Sequence, residues 1–259
     1  MVLATYKKKG VSITNVWFVD KTDDLSLIKT DILYIHEAPF DEIEFSPAIV
    51  CPQQTLVHDL TVSENTILGT LNQDTRRKLK QAEKAGITTA FYTSHDLAAD
   101  KYLLLEFGRC HDRMYQQKGM KPIFNHALIQ KYIDEDMLIM TTAAYEGTNI
   151  AFHAYIVSEH WARLLYSVSL FRDQDVDARL AARANSYLHY QDMLTFKNRG
   201  VAYFDWGGIQ SFNDPTGIDL FKIGFGGERR TYFNIMVGRS ILGKALIALM
   251  RMRSRILAK

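Results

Sequence analysis

The residues best suited to chemistry fall in two glycine-rich stretches and one basic segment. The first stretch reads Phe204-Asp205-Trp206-Gly207-Gly208, the second Phe221-Lys222-Ile223-Gly224-Phe225-Gly226-Gly227. Lys222 stands between apolar neighbours, where a cation can stabilise developing negative charge or hold a phosphate. Its competing reading is a lysine guarding the edge of a strand. Gly207, Gly208 and Gly226 are places where a backbone can approach a substrate closely. Asp205 offers a carboxylate to orient an amine or take its proton, or else to cap a turn. Trp206 offers a flat wall to a sugar ring, or packs in the core. Arg76 and Arg77 can grip a phosphate or pyrophosphate with paired N–H donors, or simply solvate a helix face. Between these segments, Tyr187, His189, Tyr190 and Asp192 share one helical stretch. Tyr187 belongs to its apolar stripe; His189 and Tyr190 lie off it, available to a ligand or to solvent.

Other chemistries find little footing. There is no H-E-x-x-H, no Cys/His ligand spacing, no P-loop and no dinucleotide-binding glycine fingerprint, so neither a metal nor a permanently bound cofactor is expected. Cys110 and His111 are sequence neighbours, which does not make a dyad. With only two cysteines, Cys51 and Cys110, the chain reads as carrying free buried thiols.

These groups need a scaffold, and the pattern supplies one. Val16–Val19 and Ile32–Ile35 read as short strands. Thr61-Val-Ser-Glu64 has the capping-box form and opens a helical region that turns basic after Asn72 and ends at Gly86. A strand at Thr88–Tyr92 and a helix around Asp100–Gln117 follow. Residues 138–145, 150–158 and 161–171 form an antiparallel meander with tight hairpins. Asp177 caps a helix that runs to about Arg199, with Gly200 at its end. Val201–Trp206 is the next strand. Residues 220–227 are irregular, with Lys222 in a strand-like setting, and Thr231–Val237 is the last strand. Strands bracketed by helices favour an α+β fold over a doubly wound parallel one.

Three segments, Thr75-Arg-Arg-Lys-Leu-Lys-Gln-Ala-Glu-Lys-Ala-Gly86, Phe204-Asp-Trp-Gly-Gly208 and Phe221-Lys-Ile-Gly-Phe-Gly-Gly227, together resemble the FemABX peptidyltransferases and their shorter relatives in the GNAT acyltransferase superfamily. The resemblance spans roughly residues 60–235. It implies a GNAT-like fold: a mixed, mostly antiparallel sheet with a splayed parallel strand pair and helices on both faces. It implies acyl or aminoacyl transfer to an amine on a cell-wall or surface-polysaccharide precursor, with aminoacyl-tRNA or acyl-CoA as co-substrate. It turns the reading of Lys222 from edge residue to catalytic cation, with Asp205 beside it. Phe221, Trp206, Gly207, Gly208, Gly226, Arg76, Arg77 and Tyr190 then bind substrate. The chain is shorter than the best-known members, so 1–85 is expected to hold a rudimentary first GNAT-like half, 86–237 the transferase domain and 238–259 a basic amphipathic helix. The place of the usual CoA loop, Phe171 to Arg183, contains no glycine, which counts against ordinary CoA binding. Two alternatives remain: an acyl-CoA-dependent amino-sugar N-acyltransferase, and a non-catalytic membrane-associated scaffold.

Charge adds a partner to this picture. The 259 residues carry a net charge of only +2, from 31 basic and 29 acidic side chains. Six of the basic residues and none of the acidic ones lie in 238–259, so 1–237 holds 25 against 29, a net of −4. Along a helix, Lys244, Arg251, Arg255 and Lys259 fall on one side and Leu242, Ala245, Leu246, Leu249, Ile256 and Leu257 on the other, where Arg253 interrupts the apolar side. That pattern suits a helix lying on anionic lipid, and equally a docked helix with a solvated basic face or a tRNA-binding tail. No segment has the ~20 apolar residues that span a bilayer. The expectation is a cytoplasmic protein, peripheral on the inner face of a membrane, that meets a lipid- or nucleotide-linked glycan precursor and a charged tRNA.

Overall fold

A computed structural model describes residues 1–173 and 175–257, with side chains as far as Arg253. In chain order the elements are β1 (Val2–Lys8), β2 (Val11–Trp17), β3 (Ile32–Ala38), β4 (Ala48–Asp59), α1 (Glu64–Thr70), α2 (Gln73–Lys84) and β5 (Thr88–Tyr92). Then come α3 (Ser94–Ala99), α4 (Lys101–Gln117), α5 (His126–Asp134), β6 (Leu138–Tyr145), β7 (Thr148–Val157) and β8 (Trp161–Ser169). The chain continues with α6 (Ala178–Asn198), β9 (Tyr203–Asp205), α7 (Gly217–Ile223), β10 (Glu228–Gly238) and α8 (Ile241–Leu257).

Two compact units emerge, Met1–Thr55 with Arg230–Lys259, and Leu56–Arg229. These bounds differ from those expected from the sequence. The basic helix α2 belongs with the second unit, because Asn72 and Thr75 at its start bond Gly224. Strand β10 belongs with the first, because it pairs β3 antiparallel.

In the first unit β1 pairs β2 antiparallel and β2 pairs β3 parallel. Its core gathers Val16, Leu33, Ile35, Ile235 and Val237, the alternate residues of three strands. In the second unit the strand order is β4-β9-β8-β7-β6-β5. All neighbours run antiparallel except β8 and β9. The β6–β7–β8 meander follows the sequence pattern, and Glu146-Gly147 turns its first hairpin with φ of 49° and 80°.

Helices cover both faces of this sheet, as β7 shows. Phe152 points to Phe107 of α4, whereas His153 and Tyr155 point to Asp192 and Phe196 of α6. Successive strand residues face opposite sides, so α4 and α6 lie on opposite faces. Helix α6 begins where expected, with the Asp177 carboxylate accepting from the Leu180 N–H at 2.8 Å.

Three local expectations are corrected. The first helix is capped by Ser63, not Thr61, because Asp59 takes the Thr61 N–H and hydroxyl. Residues 217–223 form α7, so Lys222 sits in a helix rather than a strand. The reason is a capping box, in which Thr216 and Asp219 bond each other's backbone N–H. Cys51 is exposed rather than buried; Cys110 is half-buried, and its thiol is pushed up to about 11 by burial and then by Glu106.

Candidate functional site

The site forms where β8 and β9 part. Their parallel pairing holds through Arg163↔Asp205 and then stops, while β8 runs on to Ser169. At the same place β8 carries a bulge: Ala154 faces Tyr166 and Tyr155 faces Leu164, leaving Leu165 unopposed. This is the splayed pair expected from the sequence. A cavity of about 220 Å³ lies in the wedge, lined by Leu164–Ser167 of β8, Trp206–Gly208, Lys222 of α7 and His111 and Tyr115 of α4, among others.

The turn after β9 is held from both sides. Asp205 is 1% exposed, and its Oδ1 accepts the Gly207 N–H at 2.7 Å. Gly207 has φ +66°, and a Cβ there would stand 2.8 Å from the Leu164 carbonyl oxygen, so this position needs glycine. Lys222 Nζ donates to the Gly208 carbonyl at 2.8 Å. Trp206 is fully buried against Phe225 and His189, so it packs in the core while also lining the cavity.

The three segments that carry the resemblance meet in space. The Gly224 carbonyl accepts the Asn72 N–H at 2.8 Å and the Thr75 hydroxyl at 3.2 Å. Thr70 donates its hydroxyl to the Phe225 carbonyl at 2.9 Å. A Cβ on Gly226 would come 2.6 Å from the Thr70 carbonyl oxygen. Gly226 therefore closes a backbone contact and lines neither the wedge nor the basic groove. Phe221 packs half-buried against His189 and Phe225.

Arg76, Arg77 and Tyr190 lie apart from Lys222. They line a wider groove of about 1210 Å³ with Lys80, Lys84, Tyr187 and Gln191. Arg77 and Lys78 are ion-paired with Asp74, which holds part of this charge in place.

Two buried histidine clusters escaped the sequence reading. On α4, His111 is fully buried, its Nδ1 is 3.1 Å from Asp112 Oδ1, and its Nε2 has no hydrogen-bond partner among the described residues. Burial lowers its pKa, against the opposing pull of Asp112. A proton on Nδ1 satisfies Asp112 and leaves Nε2 as a lone-pair acceptor. The dyad of neighbours is thus His111–Asp112, not Cys110–His111.

On α6, His189 and Asp192 are 1% and 2% exposed, so neither lies on a solvated face. Asp192 Oδ2 accepts from Tyr155 at 2.6 Å and Thr141 at 3.0 Å, and lies 2.7 Å from His153 Nδ1. Burial, then the Asp192 charge, pushes the Tyr155 phenol well above its ordinary pKa. The His153 and His189 rings stack at 3.7 Å. His189 titrates well below the ordinary histidine range, through burial, then His153, then Lys222. His153, His189 and Asp192 bring one ligand atom each within 4.8 Å of one another. His153 Nδ1 and Nε2 are directed at Asp192 and Asn185, whereas His189 Nδ1 is buried without a hydrogen-bond partner among the described residues. The sequence signal for this cluster was weak: 39 residues separate His153 from Asp192.

No protein-family model matches this sequence, and no curated protein matches it. Solved structures do. The C-terminal domain of an Agrobacterium fabrum protein described as a lysylphosphatidylglycerol synthetase aligns over 98% of this chain and 85% of its own, with a TM-score of 0.58 at 13% identity. FemX aligns over 95% of this chain and 85% of its own, with a TM-score of 0.60 at 12% identity. L-PGS from Bacillus licheniformis aligns over 84% of this chain and 71% of its own, with a TM-score of 0.53 at 12% identity. At these identities the likeness is one of fold, and the fold of this chain is the α+β architecture that FemX and the lysylphosphatidylglycerol synthetase domain share.

Proposed function

We propose that this protein transfers an acyl or aminoacyl group to an amine on a cell-wall or surface-polysaccharide precursor. The observation that carries the reading is Lys222, held on the Gly208 carbonyl at the mouth of the β8–β9 wedge. The names of the structural neighbours support the aminoacyl-transfer part of this reading: FemX, a lysylphosphatidylglycerol synthetase domain and L-PGS.

In this reading the acceptor nitrogen attacks the donor's ester or thioester carbonyl carbon. A C–N bond forms and the carbonyl oxygen gains negative charge, which the Lys222 ammonium stabilises. The intermediate collapses as the C–O or C–S bond breaks. The amine gives up one proton and the leaving oxygen or sulfur takes one. His111 Nε2 receives the amine proton, with Asp112 holding the tautomer. Asp205 serves as a positioning residue, since its carboxylate fixes the Gly207–Gly208 turn. The groove of Arg76, Arg77 and Tyr190 takes the phosphates of the precursor or of the donor. An aminoacyl-tRNA is the favoured donor, because no glycine loop for the CoA pyrophosphate occurs between Phe171 and Arg183.

The test is a transfer assay with pooled labelled aminoacyl-tRNA in one arm and labelled acetyl-CoA in the other. The acceptors are extracted nucleotide-linked and lipid-linked glycan precursors. Stable amide-linked label in the acceptor fraction is the expected result. Absence of transfer from both donors would overturn the reading and favour a non-catalytic scaffold.

A further inference from the structure

Helix α8 turns its apolar side outward. Its inner contact rests on Gly243 and Ile247, which are one turn apart. Gly243 packs so closely on the Asp31 carbonyl that no Cβ fits, and Ile247 is fully buried. Ser240 fixes the start of the helix, donating its hydroxyl to Asp31 and accepting the Gly243 N–H. Arg239 locks the preceding turn by donating to the Leu25 and Ser26 carbonyls.

At about 100° per residue, Ile241, Ala245, Leu249 and Met252 share an arc of about 80° centred opposite Gly243 and Ile247. These side chains are exposed, Ile241 at 91%, Met252 at 55% and Leu249 at 44%. Leu242, half exposed, widens the arc, and Leu27, on the turn that Arg239 grips, is 76% exposed. Lys244 and Arg253 flank the arc on its two sides, and both are exposed. No acidic residue occurs from Gly238 to Lys259. The side chains of Arg255, Ile256, Leu257 and Lys259, part of the expected stripe and basic face, lie outside the described residues.

We propose that α8 lies in the surface of an anionic lipid bilayer, its Ile241–Leu249–Met252 arc among the acyl chains and Lys244 and Arg253 at the headgroups. The arrangement is that of an interfacial helix, an apolar centre with cationic edges. The charge pattern selects this occupant over a second copy, whose α8 would bring the same unopposed cations to the contact. It also selects lipid over RNA, since the arc is aliphatic and offers no aromatic ring to a base. Docking is independent of the transfer chemistry.

The experiment is co-sedimentation of the full chain with sucrose-loaded vesicles of phosphatidylcholine, alone or mixed with phosphatidylglycerol. Binding to the mixed vesicles only, weakened by salt, is expected. Ile241→Asp/Leu249→Asp and Lys244→Glu/Arg253→Glu should each lower the partition coefficient by roughly tenfold or more. Lys222→Ala should bind like the wild type, which separates failure of docking from failure of the transfer reading. The proposal is overturned by a wild type that ignores anionic vesicles, or by one that binds them as well after Ile241→Asp/Leu249→Asp. It is equally overturned by a wild-type dimer in sedimentation equilibrium that this double variant splits, or by saturable binding to tRNA without binding to vesicles.

Discussion

Replacing Gly207 by alanine tests whether the wedge is locked by backbone contact. Two costs add. A non-glycine residue at φ +66° pays about 1–2 kcal/mol for the left-handed region. The new Cβ then meets the Leu164 carbonyl oxygen at 2.8 Å, where ordinary contact begins near 3.4 Å, so the turn must retreat by about 0.6 Å. That retreat weakens the 2.7 Å bond from the Gly207 N–H to Asp205, a bond to a charged acceptor worth about 1.5–3 kcal/mol. The sum is about 3 kcal/mol or more. Gly147→Ala is the control, since its φ is +80° but nothing lies within 4 Å of a Cβ there. It should cost only the backbone part, about 1 kcal/mol. Urea unfolding followed by fluorescence reads both variants. With a slope of roughly 2–3 kcal/mol per molar, Gly207→Ala should lower the midpoint by about 1 M, several tenths more than Gly147→Ala. Equal midpoints for the two variants would refute the claim that Leu164 and Gly207 meet.

Two other perturbations read the buried groups. Burial holds the His58 pKa down to about 4, against a hydrogen bond with Gly226 that pulls it up. The unfolded chain therefore binds more protons between about pH 6.5 and 4, and stability present above 6.5 should fall by about 3 kcal/mol on reaching pH 4. His189, also lowered by burial, acts in the same direction. His58→Gln should flatten this slope in urea melts at stepped pH, and an unchanged slope would contradict the assignment. Asp192→Ala strips the shared acceptor from Tyr155, Thr141 and His153, and should destabilise by about 3–5 kcal/mol in the same melts. A loss below about 1 kcal/mol would show that the network is not bonded as described.

Much of the fold was legible because caps and turns punctuate it. Asp177 and Gly200 bound α6, and Glu146-Gly147 separates β6 from β7. The 217–223 segment misled for a physical reason. Helix α7 is seven residues long and exposes Ile218 and Leu220, at 59% and 57%, so it shows no apolar stripe. Its signal lay in Thr216-x-x-Asp219, the same capping form that was read upstream at Thr61. Burial tips Asp219 upward, yet the Gln210 and Thr216 donors outweigh it and hold the carboxyl ionised at that cap.

The site was legible only in parts. Lys222, Trp206, Gly207 and Gly208 line one cavity, whereas Arg76, Arg77 and Tyr190 line another. His111 was set aside because its sequence neighbours looked like the wrong pair. What gives it a place is β8, some fifty residues on, which folds Tyr166 against it at 5.3 Å. The outward turn of α8 was hidden too, because its inner contact is made by Gly243, a residue that no hydrophobic pattern marks.

Lys222→Met in the aminoacyl-transfer assay bears most directly on the central claim, because it keeps much of the side chain's bulk while removing the charge. Removing one transition-state donor of this kind costs about 10²–10³ in rate, so the variant should fall by at least about a hundredfold, while the lost bond to the Gly208 carbonyl lowers the unfolding midpoint only modestly. Transfer at the wild-type rate by Lys222→Met would contradict the account.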